Sequence, residues 1–474
     1  MTRTAGRDGH RPGPFHLNAF LMSTGHHEAS WRLPESSPDH TSTNIAYLQR
    51  LARTAEEGLL DSVFFADGPG LRSDVGRRPA GSLDPLIVLT ALAAATERIG
   101  LIATASTTYN SPYNLARRFA SIDIVSGGRA GWNVVTTAGP DIARNFGLDD
   151  QPAHAVRYER AAEFLDVAYT LWDSWDDDAV LGDKERGVWA DAAKIHAAEH
   201  AGEHFSVAGA LTTPRTPQAR PLIVQAGSSE DGKGLAARYA EAVFTAHQTL
   251  DDARAFYADL KARTVAAGRD ADGIKILPGL VPVLGSTEAE ALAAERELDE
   301  LIVPEYARRQ LAATLRVDPE DLPLDRQLPA DLPDEDEIEG AKSRYTLIVE
   351  LARRERLTVR ELIGRLGGGR GHRTLAGTPE QVADALQEWY DAEAADGFNI
   401  MPAVLPRGLE EFTAHVVPVL QQRGLFRTAY EGSTLREHYG LERPASRYSS
   451  SGASGASVGA VVPAPEPAIA GVGA

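Results

Sequence analysis

Several short stretches of this chain carry residue types that do chemistry. Gly227-Ser228-Ser229-Glu230-Asp231-Gly232-Lys233-Gly234 follows an apolar run and opens a helical one. It nearly matches the phosphate loop G-x4-G-K-[ST], but Gly234 stands where that loop keeps the hydroxyl that holds magnesium. Nucleotide hydrolysis is therefore disfavoured. What survives is anion binding by hydroxyls and amides at a helix N-terminus, with Ser228 and Ser229 as donors. An ordinary glycine-rich turn reads equally well. His196-Ala197-Ala198-Glu199-His200 fits the inverted zinc-hydrolase pattern H-x-x-E-H, with His204 nearby. On a helix both imidazoles would share one face; a solvated helix end or loop is the plainer reading. His26 and His27 close the first apolar run together with Trp31 and Arg32, and offer proton transfer or two turn residues. Asp67 ends the run VFFA, where a carboxylate can meet a cofactor, hold a metal or cap a loop. Thr104 and Thr107 lie in a hydroxyl-rich strand end with small neighbours, which admits a flat ligand closely. Asn133 sits inside an apolar run, where a buried amide must find a partner, either a ligand or an internal polar network. His154 and Tyr158 stand four apart at the start of a helical stretch, spaced to bracket a phosphate or to sit exposed.

These residues need elements to position them. Continuous apolar runs occupy 15–22, 62–66, 99–106, 130–137, 221–226, 242–246, 274–284 and 398–404, which predicts eight strands. Helical spacing occupies 41–58, 85–96, 112–125, 158–172, 234–240, 251–267, 288–301 and 378–395, nearly one helix after each strand. Unalternating strands are those of a parallel sheet buried on both faces. Eight β–α units predict an α/β TIM barrel, whose chemistry sits at the strand C-termini. The rival doubly wound sheet wants a GxGxxG turn after strand one, and GHHEASW follows instead.

The 474 residues exceed a minimal barrel, and the surplus falls at 176–219 and 304–377. The second stretch ends in a Gly/Arg loop, 367–373, which reads as a lid for an anionic substrate or as a surface loop. One barrel is thus expected over 15–430, with an extension at 1–14 and another at 431–474 that is disordered from about 446. Cysteine is absent, which excludes disulfides, thiol nucleophiles and thiolate-held iron. Lys and Arg total 48 against 67 Asp and Glu, a net charge of −19 that disfavours nucleic acid or an anionic membrane as partner. No signal-like or membrane-length apolar run is evident, so a cytoplasmic protein is expected.

Five stretches, taken in order, resemble the flavin-dependent monooxygenases of the bacterial-luciferase superfamily. They are HLNAFLMSTGHHEASWR (16–32), DSVFFAD (61–67), LIATASTTYNSPYNLARRFASIDIVSGGRAGWNVVT (101–136), PLIVQAGSSEDG (221–232) and GTPEQVADALQEWYDAEAADGFNI (377–400). The nearest likeness is to the branch holding nitrilotriacetate, EDTA and dibenzothiophene-sulfone monooxygenases. The resemblance implies FMN, delivered reduced by a separate NAD(P)H:flavin reductase, and no metal. It implies oxygenation of a small organic substrate at or beside a C–N, C–S or C–H centre, with O2 as the other reactant, in a homo-oligomer. Carried over, Asp67, Thr104, Thr107 and Asn133 would line the isoalloxazine. His154, Tyr158, Ser228 and Ser229 would hold the ribityl phosphate, and His26 and His27 would act at the substrate end. The acidic pair that the family keeps between its histidine and tyrosine is Ala155-Val156 here. A flavin-binding paralogue without activity, and a deazaflavin-dependent oxidoreductase, are alternatives on the same barrel.

Overall fold

The computed structural model describes residues 14–71, 75–77, 79, 81–334, 342–369 and 371–448. Its main sheet has nine parallel strands: β1 His16–Phe20, β2 Ser62–Phe65, β3 Gly100–Ser106, β4 Ala130–Val135, β5 Leu222–Gln225, β6 Ala242–Thr245, β7 Lys275–Leu284, β8 Arg373–Gly377 and β9 Gly397–Ile400. All except β8 close a barrel. β1 pairs with β2 on one side and with β9 on the other, and the ring is completed through β7, which pairs with both β6 and β9. This is the eight-stranded TIM barrel read from the apolar runs, with strand ends moved by a few residues.

Each barrel strand has two buried faces. Leu17, Ala19, Val63, Leu101 and Trp132 point outward into one apolar layer with helix residues such as Leu48, Leu51, Leu89 and Phe119. Phe20, Phe64, Ile102, Leu222, Val224 and Phe244 point inward. The helices are placed by local chemistry. In α1 (Ile45–Glu57) the Asn44 side chain accepts from Tyr47 N, and Leu48, Leu51, Ala52 and Ala55 fall on one buried face. Thr378 and Gln381 form a reciprocal capping box at the start of Pro379–Asp391.

The barrel's N-terminal end is plugged. Asn18 donates to Asn399 and accepts from Ser62 Oγ and Tyr439 OH at 2.8 and 2.9 Å. Leu435, on the short helix Leu435–His438, fills the space beneath β3 and β4, where a Cβ at Gly100 would overlap its Cδ1 and one at Gly131 would come within 3.2 Å of Cδ2. Leu435 is fully buried, so Leu435→Ala is expected to cost about 3 kcal/mol in urea unfolding, the usual loss for a buried leucine whose site cannot collapse.

Both insertions are built as excursions from this barrel. The first holds two small hairpins, Val180–Asp183 with Val188–Ala190 and His200–Ala201 with Ser206–Val207. The second holds three helices, α8 Pro304–Leu315, α9 Lys342–Glu355 and α10 Val359–Gly369, sharing an apolar core that includes Leu311, Ile348 and Leu362. Ala29 from the loop after β1 joins that core, and Glu28 N donates to Gly367 O at 3.0 Å, so the insertion is seated on the barrel's C-terminal mouth. Much of the stretch read as a Gly/Arg loop is therefore regular structure. α10 runs through Gly369, β8 begins at Arg373, and Arg370 lies outside the described residues. β8 adds to the overhanging half of β7, with Leu280 opposite Arg373 and Leu284 opposite Gly377.

Residues 446–448, where disorder is expected to begin, make defined contacts. Ser446 is buried, Arg447 N donates to Asp173 Oδ2, and Tyr448 stacks on His196 with centroids 3.9 Å apart. Residues 449–474 lie outside the described set, as does most of the N-terminal extension. Among the described residues no helix is long and apolar enough to cross a membrane.

Candidate active site

The mouth of the barrel has an aromatic floor. Phe20, Phe64 and Phe244 meet edge to face, with centroids 4.9 to 5.8 Å apart. His26 joins them, edge-on to Phe20 at 4.6 Å, with its Nε2 3.0 Å from Phe20 O, where an N–H donates. Next to this floor, on adjacent strands, Asn133 Nδ2 donates to Thr104 Oγ1 at 2.8 Å. Asn133 Oδ1 is buried and meets no hydrogen-bond partner among the described residues. The same holds for Thr108 Oγ1 after β3, Gln225 Oε1 on β5 and Thr245 Oγ1 on β6. A buried polar atom left alone costs about 1–3 kcal/mol. Those of Thr108, Asn133 and Gln225, at neighbouring strand ends, fit a flat, polar ligand whose edge alternates donors and acceptors, as an isoalloxazine does. Thr107 is different: its hydroxyl donates to Val135 O and ties β3 to β4.

Asp67 lies on the lip of a cavity of about 780 Å³, which is also lined by Met22, His27, Gly68, Asp84 and Ile142. Desolvation lifts its carboxyl above the ordinary range; the Gly68 amide opposes the rise and the nearby Asp84 charge adds to it. His27 faces this cavity with both ring nitrogens engaged. Nε2 lies 3.2 Å from Asp299 Oδ1, and Nδ1 accepts from Ala29 N at 3.2 Å. That pattern needs the proton on Nε2. The ring therefore ties the β1 loop to the helix Glu288–Glu300, and proton transfer through it first requires one of these bonds to open.

The expected phosphate residues come together. The helix Glu230–Tyr239 starts four residues earlier than its spacing predicts, which puts 227–229 in the turn. Ser229 Oγ caps the helix by accepting from Gly232 N at 3.1 Å and keeps its O–H to donate, while Ser228 lines a second cavity. His154 Nδ1 lies 2.9 Å from Asp231 Oδ2 in that helix's first turn, and the His154 and Tyr158 rings are 4.8 Å apart. The helix His154–Trp172 has Ala153 at its N-cap, with no side-chain bond, so its first amides remain for a ligand or water. Two helix N-termini thus meet at His154, Tyr158 and Ser228. The acid Glu230 in the first turn is paired with Lys233 and Arg263.

The zinc reading is overturned. Residues 196–200 are not helical: Glu199 has a positive φ and His200 opens a strand. His196 Nε2 lies 3.1 Å from Asp176 and His200 Nε2 2.8 Å from Glu163, so the two rings serve separate carboxylates. Among the described residues no group of three His, Cys, Asp or Glu converges on a metal position.

Two residues at the mouth, Thr245 and His247, go beyond the motifs, and a third, His372, belongs to the loop read as a lid for an anionic substrate or as a surface loop. The His372 ring lies parallel to Phe244, with centroids 4.9 Å apart. Gly279 makes this seat possible, because a Cβ there would overlap His372 Nδ1 and stand 2.8 Å from Phe244 Cε2. Thr245 and His247 were detectable as polar residues ending an apolar run, whereas the seat of His372 depends on a glycine on another strand.

A family model described as luciferase-like monooxygenase matches residues 22–396. N-acetyl-S-(2-succino)cysteine monooxygenase of Bacillus subtilis (strain 168) is 48% identical over 433 residues, 91% of this chain and 98% of that protein. Nitrilotriacetate monooxygenase component A of Aminobacter aminovorans is 48% identical over 441 residues, 90% of this chain and 96% of the relative. Among solved structures, a riboflavin lyase with modified FMN and substrate riboflavin superposes with a TM-score of 0.80 at 32% identity, covering 91% of this chain and 97% of that one.

Proposed function

The chain belongs to the luciferase-like monooxygenase family, and we propose that it is the oxygenating component of a two-component system that uses reduced FMN from a separate NAD(P)H:flavin reductase. The observation that carries this is the buried, unpartnered Asn133 Oδ1 beside Thr104, with the His154, Tyr158 and Ser228 cluster at a neighbouring strand end. The FMN named in the riboflavin lyase structure supports the cofactor, and "component A" in a relative's name supports a partner component. Work in the cytoplasm follows from the need for NAD(P)H.

When bound, reduced FMN supplies the electrons that divide O2 between the substrate and water. The protein's own part is placement. Asn133 Oδ1 would accept from the flavin, and Thr104 holds the amide so that this oxygen faces it. His154, Tyr158 and Ser228 would take the phosphate, with Ser229 keeping the helix start in shape. Asp67 sits at the edge of the large cavity, where its raised pKa suits proton exchange. Phe20, Phe64 and Phe244 would exclude water from their side of the site. His26 and His27 stand toward the substrate, a small organic molecule oxygenated at or beside a C–N, C–S or C–H centre.

Fluorescence titration with FMN, and anaerobic titration with photoreduced FMN, test the reading. The wild-type chain should bind both. Asn133→Leu should weaken binding about 10- to 100-fold, the usual consequence of losing a buried acceptor. No FMN binding by the wild-type chain, in either redox state, would sink the proposal.

A further inference from the structure

A second cavity, of about 370 Å³, lies between the barrel mouth and the insertion. Ser228, Thr245 and His247 form its inner wall, from the ends of β5 and β6, while α9 supplies Arg344, Glu350 and Arg354 on the outer side. Thr245 is 3% exposed and His247 8%, yet Thr245 Oγ1 and His247 Nε2 meet no hydrogen-bond partner among the described residues. Both therefore await a ligand. Burial pushes the His247 imidazole down to about 4, with Asp252 opposing, so near neutral pH it is an uncharged hydrogen-bonding group. Asp252 is itself occupied: it bonds to Thr249 and sits in the first turn of the helix Leu250–Ala266, where the dipole compensates its charge. Glu350 lies one turn before Arg354 on α9, and Arg354 has Glu355 at 3.7 Å. Arg344 and Arg354 thus face two buried neutral donors across a small space. His372 also lines this space and, through its stack on Phe244, joins it to the aromatic floor.

We propose that this cavity recognises the charged end of the substrate, and that the substrate is a small organic acid whose carboxylates are bound by the Arg344, Arg354, Thr245 and His247 side chains. The inference rests on the oxygenase reading and adds the substrate's charge and the residues that read it. Guanidinium groups suit carboxylates because their planar fork donates two parallel bonds. The same cationic wall would also suit the cofactor's phosphate, so the test has to separate the two sources of anion.

Isothermal titration of the full-length protein with tricarballylate as probe, with and without FMN, provides the test. Tricarballylate should bind and its neutral trimethyl ester should not. Arg354→Gln and Arg344→Gln should each weaken the probe at least about 10-fold, the effect of losing a charge-assisted bond. Thr245→Val should weaken it about 5-fold, and Glu350→Gln, which removes a like charge, should tighten it. FMN and riboflavin affinities should stay unchanged in the arginine variants. If those variants weaken FMN but not riboflavin, the wall holds the cofactor phosphate and the inference fails. If tricarballylate does not bind while FMN does, the inference fails and the oxygenase reading stands; loss of FMN binding in the wild type overturns that reading instead.

Discussion

Alanine at Gly397 is expected to cost at least about 4 kcal/mol and to leave little soluble, folded protein, because its methyl would be driven into backbone. Gly397 opens β9 and lies directly opposite His16 of β1, at the seam where the first and last barrel strands meet. A Cβ there would overlap the His16 carbonyl oxygen and stand 2.6 Å from both its carbonyl carbon and its amide nitrogen. These are backbone atoms, so no side-chain rotation relieves the clash. His16 cannot give way either. Its Nδ1 lies 3.2 Å from Asp61, the neighbouring Leu17 N donates to the other Asp61 oxygen at 2.7 Å, and Arg427 pairs with the same carboxylate. Burial pushes the Asp61 carboxyl up, but Arg427 and His16 hold it down to about 2, so the anchor is ionised throughout the working range. The strands would have to part, and a barrel with an open seam exposes two unpaired edges. Urea unfolding with near-ultraviolet circular dichroism checks this. Gly209→Ala is the control, since a Cβ at Gly209 meets nothing within 4 Å. Equal unfolding midpoints for the two variants would refute the clash.

The same packing logic explains what could be read from the residues alone. The barrel was legible because every strand in it is buried on both faces, so its apolar run is continuous whatever its neighbours. The helix start at Thr378 was legible because a cap is local, whereas the helix read from 41 begins only after its Asn44 cap. β8 was not: it pairs with the overhang of β7 alone, carries Arg373 and Thr374, and follows a glycine run that masks it. The H-x-x-E-H pattern is a weak signal because spacing implies a shared face only on a helix, and the chain turns at Glu199. At the site, Asn133 stood out as an amide inside an apolar run, and Thr245 and His247 offered the same signal at the end of theirs. The seat of His372 was beyond reach, because it needs a bare Gly279 on one strand and the Phe244 ring on another. Ser229 and Thr107 have the residue types of ligand contacts, and each already makes one local bond: Ser229 accepts from Gly232 N and keeps its O–H to donate, while Thr107 donates to Val135 O and keeps its lone pairs.

Acidification should separate two opposing sets of buried groups. Burial pushes His438 down to about 4, with Arg427 adding and Asp61 opposing, and His247 is also near 4. An unfolded histidine titrates near 6.5, so on acidification the unfolded chain takes up protons first. Each ring contributes stability that is full above about 6.5 and lost as the pH falls toward 4, about 3 kcal/mol apiece. His16, pushed down mainly by burial, acts in the same direction. Asp123 opposes them. Burial raises its carboxyl to about 6, although bonds from Thr216, Ala130 and Gln218 work against the rise. The folded state protonates Asp123 before the unfolded state does, near 3.9, so acidification through this window returns about 3 kcal/mol. Asp61 titrates lower still and keeps its contribution down to pH 4. The wild-type chain should therefore lose about 3 kcal/mol or somewhat more between pH 7 and 4. Asp123→Asn removes the compensation while keeping an oxygen for the bonds from Ala130 N and Gln218 Nε2, so its loss should double to about 6 kcal/mol. His438→Gln should shrink the wild-type loss to nearly nothing. Urea unfolding at pH 7, 6, 5 and 4 measures all three, and parallel pH profiles for wild type and Asp123→Asn would show that Asp123 is not the buried acid that offsets the histidines.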